Sequence, residues 1–373
     1  MNRWTAPAAL AESAVRRRHL RRLLALPGTR LGVVGAPATP GERLFTHWHY
    51  WWQAQLIDCL VDAQLRAPDD RRRSIIRATA RGIRWRNGLR WRNNYYDDMA
   101  WLALALDRAE RLAGIRVGKA VPTLTREITT AWESAGGEGI PWRRRDVFHN
   151  VPANGPAAIL LARTGNRDAA RHIADWVERR LALSATGLVA DGWRAPDTGR
   201  GDGSDGVVEE TIYTYGQGVA MGAELELALT GDASGVPRIH RLVDAVGTNL
   251  AANGVLAGHG GGNGGLFTGI LARHLAGVAT LLPGSDAAAA LTRRRAADLV
   301  LASAEAAWAG RLPTPAGPVF SPEWVRPARR PGGRPGRVIG NAEVEQSTVP
   351  ERDLSVQLAG WMLLEAAAAL PNG

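Results

Sequence analysis

The chain has 373 residues, 45% of them hydrophobic, and its 46 Lys and Arg against 36 Asp and Glu give a formal net charge of +10. That length allows two or three domains or one large helical barrel, and that apolar share supports a substantial core. One cysteine, Cys59, excludes an intrachain disulfide, and no run is long and apolar enough to span a membrane.

The first forty residues are rich in Arg and Pro and read as a basic, mobile arm; residues 41–373 read as one domain. Helical periodicity then dominates. Candidate helices run over about Glu42–Leu65, Arg71–Arg86, Tyr96–Ala113, Val121–Ser134, Gly155–Arg163, Asp168–Leu183, Tyr215–Thr230, Arg238–Ala252, Leu266–Leu281, Ala287–Ala307 and Leu354–Leu370. No strand-rich region appears. Short turns such as Thr164-Gly165-Asn166-Arg167 alternate with long loops: Gly136–Asn154, Thr186–Thr214, Gly254–Gly265 and Gly310–Val349. Loops that long are functional or disordered. Tryptophans and acids among their glycines favour function. The alternation predicts a toroid of helical hairpins with the long loops on one rim.

Two adjacent carboxylates, Asp97 and Asp98, open the helix that continues Met99-Ala100-Trp101-Leu102-Ala103-Leu104-Ala105-Leu106. A helix apolar on every side is buried, and an ionised carboxylate avoids such a place unless it is paired, hydrogen-bonded or functional. The bland reading is a first-turn acid facing the helix dipole, with Asn94 as N-cap. The functional reading is a pair that bracket one sugar. Like charges so close push one pKa upward, so one group stays protonated as acid while the other attacks.

Fourteen tryptophans against four phenylalanines is a skewed ratio. Trp48, Trp51 and Trp52 cluster beside His47, His49 and Tyr50; core packing accounts for some, sugar stacking for others. The arginines, against the single lysine Lys119, scatter over helix faces, as in Arg16-Arg17-Arg18. A biased coding sequence explains that better than a nucleic-acid surface. Cys59 and Asp58 lie in an apolar run; Cys59 reads as a small buried hydrophobe and Asp58 as paired to an arginine or a helix end. Gly258–Gly265 lacks the Lys-Ser/Thr ending of a phosphate loop. Gly201–Gly206 lacks the bidentate Glu of a calcium loop. His149 and His259 are isolated. No H-E-x-x-H pattern is present, so no metal and no cofactor is expected.

Read together, the segments acquire specificity. Tyr95-Tyr96-Asp97-Asp98-Met99-Ala100-Trp101 resembles the paired-aspartate motif of glycoside hydrolase family 76. Its companions occur in order: Trp51-Trp52-Gln53-Ala54-Gln55 before it, then Gly139-Ile140-Pro141-Trp142, Asn150, Asn154, Gly187–Gly192, Tyr213-Thr214-Tyr215-Gly216-Gln217-Gly218 and Gly265–Ile270. The resemblance spans roughly residues 45–370. It departs at Gly216, where Asn is frequent, and at Pro141.

The resemblance implies an (α/α)6 barrel that cleaves α-1,6-linked mannan with retention of configuration, as an endo-mannanase does. Asp97 would be the nucleophile and Asp98 the general acid/base. Trp51, Trp52, Gln53, Asn94, Tyr96, Trp142, Asn154, Asp191, Tyr215 and Gln217 would face the substrate. The expected partner is an α-mannan-like oligo- or polysaccharide, with no nucleic acid and no stable membrane insertion. With no clear signal peptide, the cytoplasm is the default and secretion stays open. The rivals are a non-catalytic glycan-binding protein, and an amino-sugar epimerase or unsaturated-uronide hydrolase on the same scaffold. A nucleic-acid-binding solenoid would need a fixed repeat, and none is seen.

Overall fold

The computed structural model describes residues 2–196, 205–339 and 343–371. Among these residues the chain forms thirteen helices: α1 (Thr5–Arg18), α2 (Pro40–Arg43), α3 (Tyr50–Arg66), α4 (Asp70–Arg86), α5 (Tyr96–Ala113), α6 (Ala120–Ser134), α7 (Val151–Arg163), α8 (Arg167–Leu181), α9 (Thr214–Leu229), α10 (Val236–Asn249), α11 (Phe267–Leu281), α12 (Ala287–Ala309) and α13 (Leu354–Ala368). Helices α3, α5, α7, α9, α11 and α13 pack each on the next, and α13 returns to α3, which closes an inner ring. Helices α4, α6, α8, α10 and α12 each pack outside the inner helix they follow, and α1 completes the outer layer on α13. This is an (α/α)6 barrel.

Sequence pattern explains the two layers. In α13 every residue from Leu354 to Ala367 is buried: apolar residues occupy all its faces, and the polar Gln357 and Glu365 are hydrogen-bonded to Phe320 and Arg66. In α10 only Ile239, Leu242, Val243, Ala245 and Val246 are buried, one stripe at helical spacing. Inner helices approach closely where a side chain is missing: a Cβ on Gly269 of α11 would lie 2.6 Å from the Ala359 Cα of α13.

Two expectations change. The anticipated arm carries α1, whose Ala8, Ala11, Ala14 and Val15 are buried against the barrel; its small residues between arginines hid that face. Helix α7 starts at Val151, not Gly155, with Pro152 in its first turn and Pro156 inside it. The first-turn proline costs nothing because that N–H has no partner within the helix. The acidic, glycine-rich turn at 201–206 falls at 201–204 outside the described residues.

The long loops gather at the end where the inner helices begin. Strands there are short: β1 (Leu20–Arg21) with β2 (Leu31–Gly32), β3 (Phe148–Asn150) with β4 (Gly192–Arg194) and β5 (Val207–Glu209), β6 (Ala251–Ala252) with β7 (Val255–Leu256), and β8 (Val338–Ile339) with β9 (Glu343–Val344), all antiparallel. The β3–β4–β5 sheet, with Asn150 opposite Gly192 and Gly192 opposite Glu209, ties three loop segments into one wall.

Candidate active site

A cleft of about 830 Å³ opens over the N-terminal ends of the inner helices. Those ends supply Trp51 of α3, Asp97 and Trp101 of α5, Pro152 of α7, Tyr215 of α9 and Phe267 of α11. The loops add Trp142, Asp146, Asp191, Arg194, Glu209, Tyr213 and His259, and residues 343–346 form one margin.

Helix α5 begins without a side-chain cap from Asn94, which is exposed; Tyr95 is the N-cap. Asn93 does the local work instead. Its Oδ1 accepts the Tyr95 N–H at 2.9 Å, and its Nδ2 donates to Asp98 Oδ2 at 2.5 Å. The Tyr96 N–H donates to the Trp142 carbonyl at 2.9 Å, which brings the loop carrying Trp142 over the start of the helix. From there Trp142 Nε1 donates to Asp97 Oδ2 at 2.9 Å, while the Asp98 N–H donates to Asp97 Oδ1 at 2.7 Å.

The two carboxyls therefore differ. Asp97 lines the cleft with both oxygens held by N–H donors. Burial raises its pKa from 3.8 to about 6, and the Trp142 and backbone donors hold it from going further. Asp98 sits half-buried beside it. Burial, then the neighbouring Asp97 charge, drives its carboxyl well above the ordinary range, against the Asn93 amide and the Trp51 backbone N–H. Asp98 is the member of the pair that keeps its proton longer.

A third acid stands across the cleft. Tyr215 donates its O–H to Asp191 Oδ1 at 3.0 Å. Burial lifts Asp191 to about 6 against that bond, with the Glu209 and Asp97 charges adding to the rise. An aromatic group lies alongside: Tyr215 and Phe267 rings are 4.3 Å apart, Tyr213 stacks on Tyr215 at 5.8 Å, and His259 meets Phe267 at 5.6 Å. The Thr214 N–H donates to His259 Nε2 at 3.2 Å, so the imidazole is neutral with its proton on Nδ1. Burial lowers its pKa accordingly.

Of the residues expected at the substrate, Trp51, Asp97, Trp142, Asp191 and Tyr215 line one cleft. The others do not. Gln53, Asn154 and Gln217 are fully buried, and each clamps a backbone segment. Gln53 bonds both the N–H and the C=O of Gly32, at 2.7 and 3.0 Å. Asn154 does so with Ile140 at 2.7 and 2.8 Å, and Gln217 with Val189 at 2.8 Å twice. Trp52 lines a neighbouring pocket of about 580 Å³ with His47 and His49, its Nε1 donating to Asn263 Oδ1. The Tyr96 ring is buried under the Arg144 guanidinium. Trp101, Asp146, Glu209, Tyr213 and Phe267 went unremarked in the sequence as cleft residues, and His259 looked isolated. For Trp101, Tyr213 and Phe267 the available signal was their place in the family-like segments, and for Asp146, Glu209 and His259 the Gly-, Pro-, Trp- and Asp-rich character of the surrounding chain.

Comparisons with known proteins agree with this fold. The family model for glycosyl hydrolase family 76 matches residues 30–331. No curated protein matches by sequence. Among solved structures, the GH76A α-1,6-mannanase from Salegentibacter sp. HEL1_6 superposes with a TM-score of 0.79 at 26% identity, covering 98% of this chain and 99% of that one. An inactive variant of that enzyme, with two successive aspartates changed to alanine, is in complex with α-1,6-mannotetrose; it matches at 25% identity with a TM-score of 0.79, covering 98% of both chains. The family 76 mannosidase Bt3792 from Bacteroides thetaiotaomicron shares the fold at 14% identity, with a TM-score of 0.75 and 98% of both chains covered. The chain belongs to glycosyl hydrolase family 76 and is a glycoside hydrolase.

Proposed function

We propose that the protein hydrolyses α-1,6-mannosidic bonds with retention of configuration, using Asp97 as nucleophile and Asp98 as general acid/base. The observation that carries this reading is the unequal environment of two adjacent carboxyls at the head of α5, Asp97 lining the cleft and Asp98 beside it on the Asn93 amide, outside the lining residues. Asp97 is held by two N–H donors that favour its anion, while Asp98 is held in its protonated form by burial and by the Asp97 charge.

The step follows from those states. An Asp97 oxygen attacks the anomeric carbon as the bond to the glycosidic oxygen breaks, and the Asp98 proton passes to that leaving oxygen. The Asp98 carboxylate then takes a proton from water as the water oxygen attacks the same carbon, which releases Asp97 and restores Asp98. Trp51, Trp142 and Tyr215 offer ring faces and edges for the sugar, and Asp191 accepts or donates to its hydroxyls. The relative that binds α-1,6-mannotetrose after losing two successive aspartates supports both the linkage and the pair.

The test is α-1,6-mannotetraose followed by NMR. The first-formed product should keep the α anomer, and Asp97→Asn and Asp98→Asn should each lower kcat by roughly 10²–10⁴-fold. An inverted product, or turnover within a few-fold of wild type in either variant, would overturn the assignment.

A further inference from the structure

Between Arg71 and Arg92 the chain carries nine arginines and no acid. Its last part, Arg84-Trp85-Arg86-Asn87-Gly88-Leu89-Arg90-Trp91-Arg92, interleaves cations with large apolar residues. It closes α4 and runs into Asn93, whose side chain holds Asp98. The surface it forms therefore lies at the cleft-bearing end of the barrel.

Three large apolar side chains are open to solvent there: Trp85 at 51%, Leu89 at 52% and Leu44 at 57%. Bonds join the parts. Arg84 Nε donates to the Leu89 carbonyl at 3.1 Å, and Arg86 Nε donates to the Phe45 carbonyl, next to Leu44, at 2.7 Å. Gly88 and Leu89 both take left-handed backbone, with φ of 65° and 62°. Glycine adopts that conformation freely and leucine does not. The fold holds a strained leucine at the tip of a turn, where it touches solvent rather than core. A single exposed leucine means little; one set among exposed indole and unneutralised guanidinium groups is different. Among the described residues Arg92 has a carboxylate partner, Glu127, while Arg84, Arg86 and Arg90 have none.

The chemistry of the patch selects its occupant. A polysaccharide binds along a row of bare indole faces, but the Arg84 guanidinium lies 5.8 Å over the Trp91 ring and that of Arg86 lies 5.4 Å over the Trp48 ring, which leaves Trp85 as a single bare indole among the tryptophans of this stretch. Leucine tips add nothing for sugar hydroxyls. Tryptophan and arginine together with protruding leucine suit the headgroup zone of a bilayer, where indole and guanidinium groups stay partly hydrated and anionic lipids attract the cations. No helix among the described residues is long and apolar enough to cross a membrane, so any contact through this patch is peripheral. We propose that the surface formed by Leu44, Trp85, Leu89 and Arg90, with Arg84 and Arg86, docks the protein onto a lipid bilayer carrying anionic headgroups. Docking there brings the cleft end of the barrel to glycans rooted in that bilayer.

The test uses the full chain and sedimentation with vesicles, either phosphatidylcholine alone or phosphatidylcholine mixed equally with phosphatidylglycerol. Binding should appear with the anionic vesicles, weaken as salt rises, and be absent with the neutral ones. The Leu89→Gly/Arg90→Gln double variant should bind anionic vesicles at least about tenfold more weakly. Glycine relieves the strain at position 89, so this variant should melt no lower than wild type and should hydrolyse soluble substrate at the wild-type rate. The proposal is overturned if the anionic vesicles fail to bind, if neutral vesicles bind equally, or if the double variant binds as tightly as wild type. It is also overturned if the double variant loses retention on insoluble α-mannan while keeping its vesicle binding, which would make the patch a glycan surface.

Discussion

Asp97 and Asp98 are adjacent, yet their surroundings separate their chemistry. Hydrolysis needs Asp97 ionised and Asp98 protonated, so kcat/KM should be bell-shaped in pH. Its acid limb should lie near 6, from the raised Asp97, and its alkaline limb where Asp98 ionises; both apparent values belong to the pair. The same burial has a stability consequence of definite sign. A carboxyl whose folded pKa is raised favours folding in its protonated form, and that contribution is present at pH below 3.8 and lost as pH rises through about 6. Wild-type protein should therefore lose stability relative to Asp97→Asn across that interval. At neutral pH the inactive variant should be the more stable by about 0.5–2 kcal/mol. Melting curves of both proteins at acid and neutral pH check this; an advantage that shrinks with rising pH would contradict it.

At the scale of one helix turn, a recurring device explains which residues the sequence misassigned. Trp51, Pro152 and Tyr215 line the cleft from the first turns of α3, α7 and α9. Two positions further on stand Gln53, Asn154 and Gln217. Two residues on a helix are about 200° apart, so these carboxamides point away from the cleft. There they pair with the N–H and C=O of a passing segment, as a β-strand would. Gln357 of α13 does the same with Phe320, at 3.1 and 3.0 Å. Each clamp seats one stretch of non-helical chain against the barrel. Gln217→Leu should leave the Val189 N–H and C=O buried without partners and cost about 2–4 kcal/mol. Thermal unfolding measures that cost. Tyr215→Phe, which removes the O–H bond to Asp191, should by contrast act chiefly on kinetics. A Gln217→Leu variant with unchanged melting temperature would assign the side chain to substrate instead.

Across the whole barrel the two ends are built from opposite materials. The open end holds aromatics and acids. Toward the other end, Asp58 and Asp62 of α3 meet Arg108 of α5 and Arg273 of α11, with Arg273 Nη1 to Asp58 Oδ2 at 2.8 Å and Arg273 Nη2 to Asp62 Oδ2 at 2.7 Å. Burial opposes the charge on Asp58, but Arg108 and Arg273 together hold its pKa below the ordinary value. Cys59, buried beside them, has its thiol pushed up by burial and is an inert core residue. Breaking such a buried network from one side leaves charge uncompensated. Asp58→Asn should cost about 3–5 kcal/mol, read as a lower denaturant midpoint. A midpoint at the wild-type value would show the network to be neutral.

Most of the inner and outer helices, the rim that carries the loops and the pair of acids at the head of α5 were legible in the sequence; α1, hidden among arginines, was not. Apolar periodicity and burial of one face are local properties, visible wherever a helix must hide a stripe or its whole surface. Even Asp58 was readable as a paired group, because an acid in an apolar run has few other options. Which polar side chains reach the cleft followed from tertiary packing. Asn93 rather than Asn94 holds the start of α5, and Gln53, Asn154 and Gln217 hold backbone. His259 takes its tautomer from a helix start 45 residues away in the chain. Side-chain direction at a helix end, and the identity of the segment lying opposite, depend on how separate loops converge in space. No spacing along a single segment encodes that convergence.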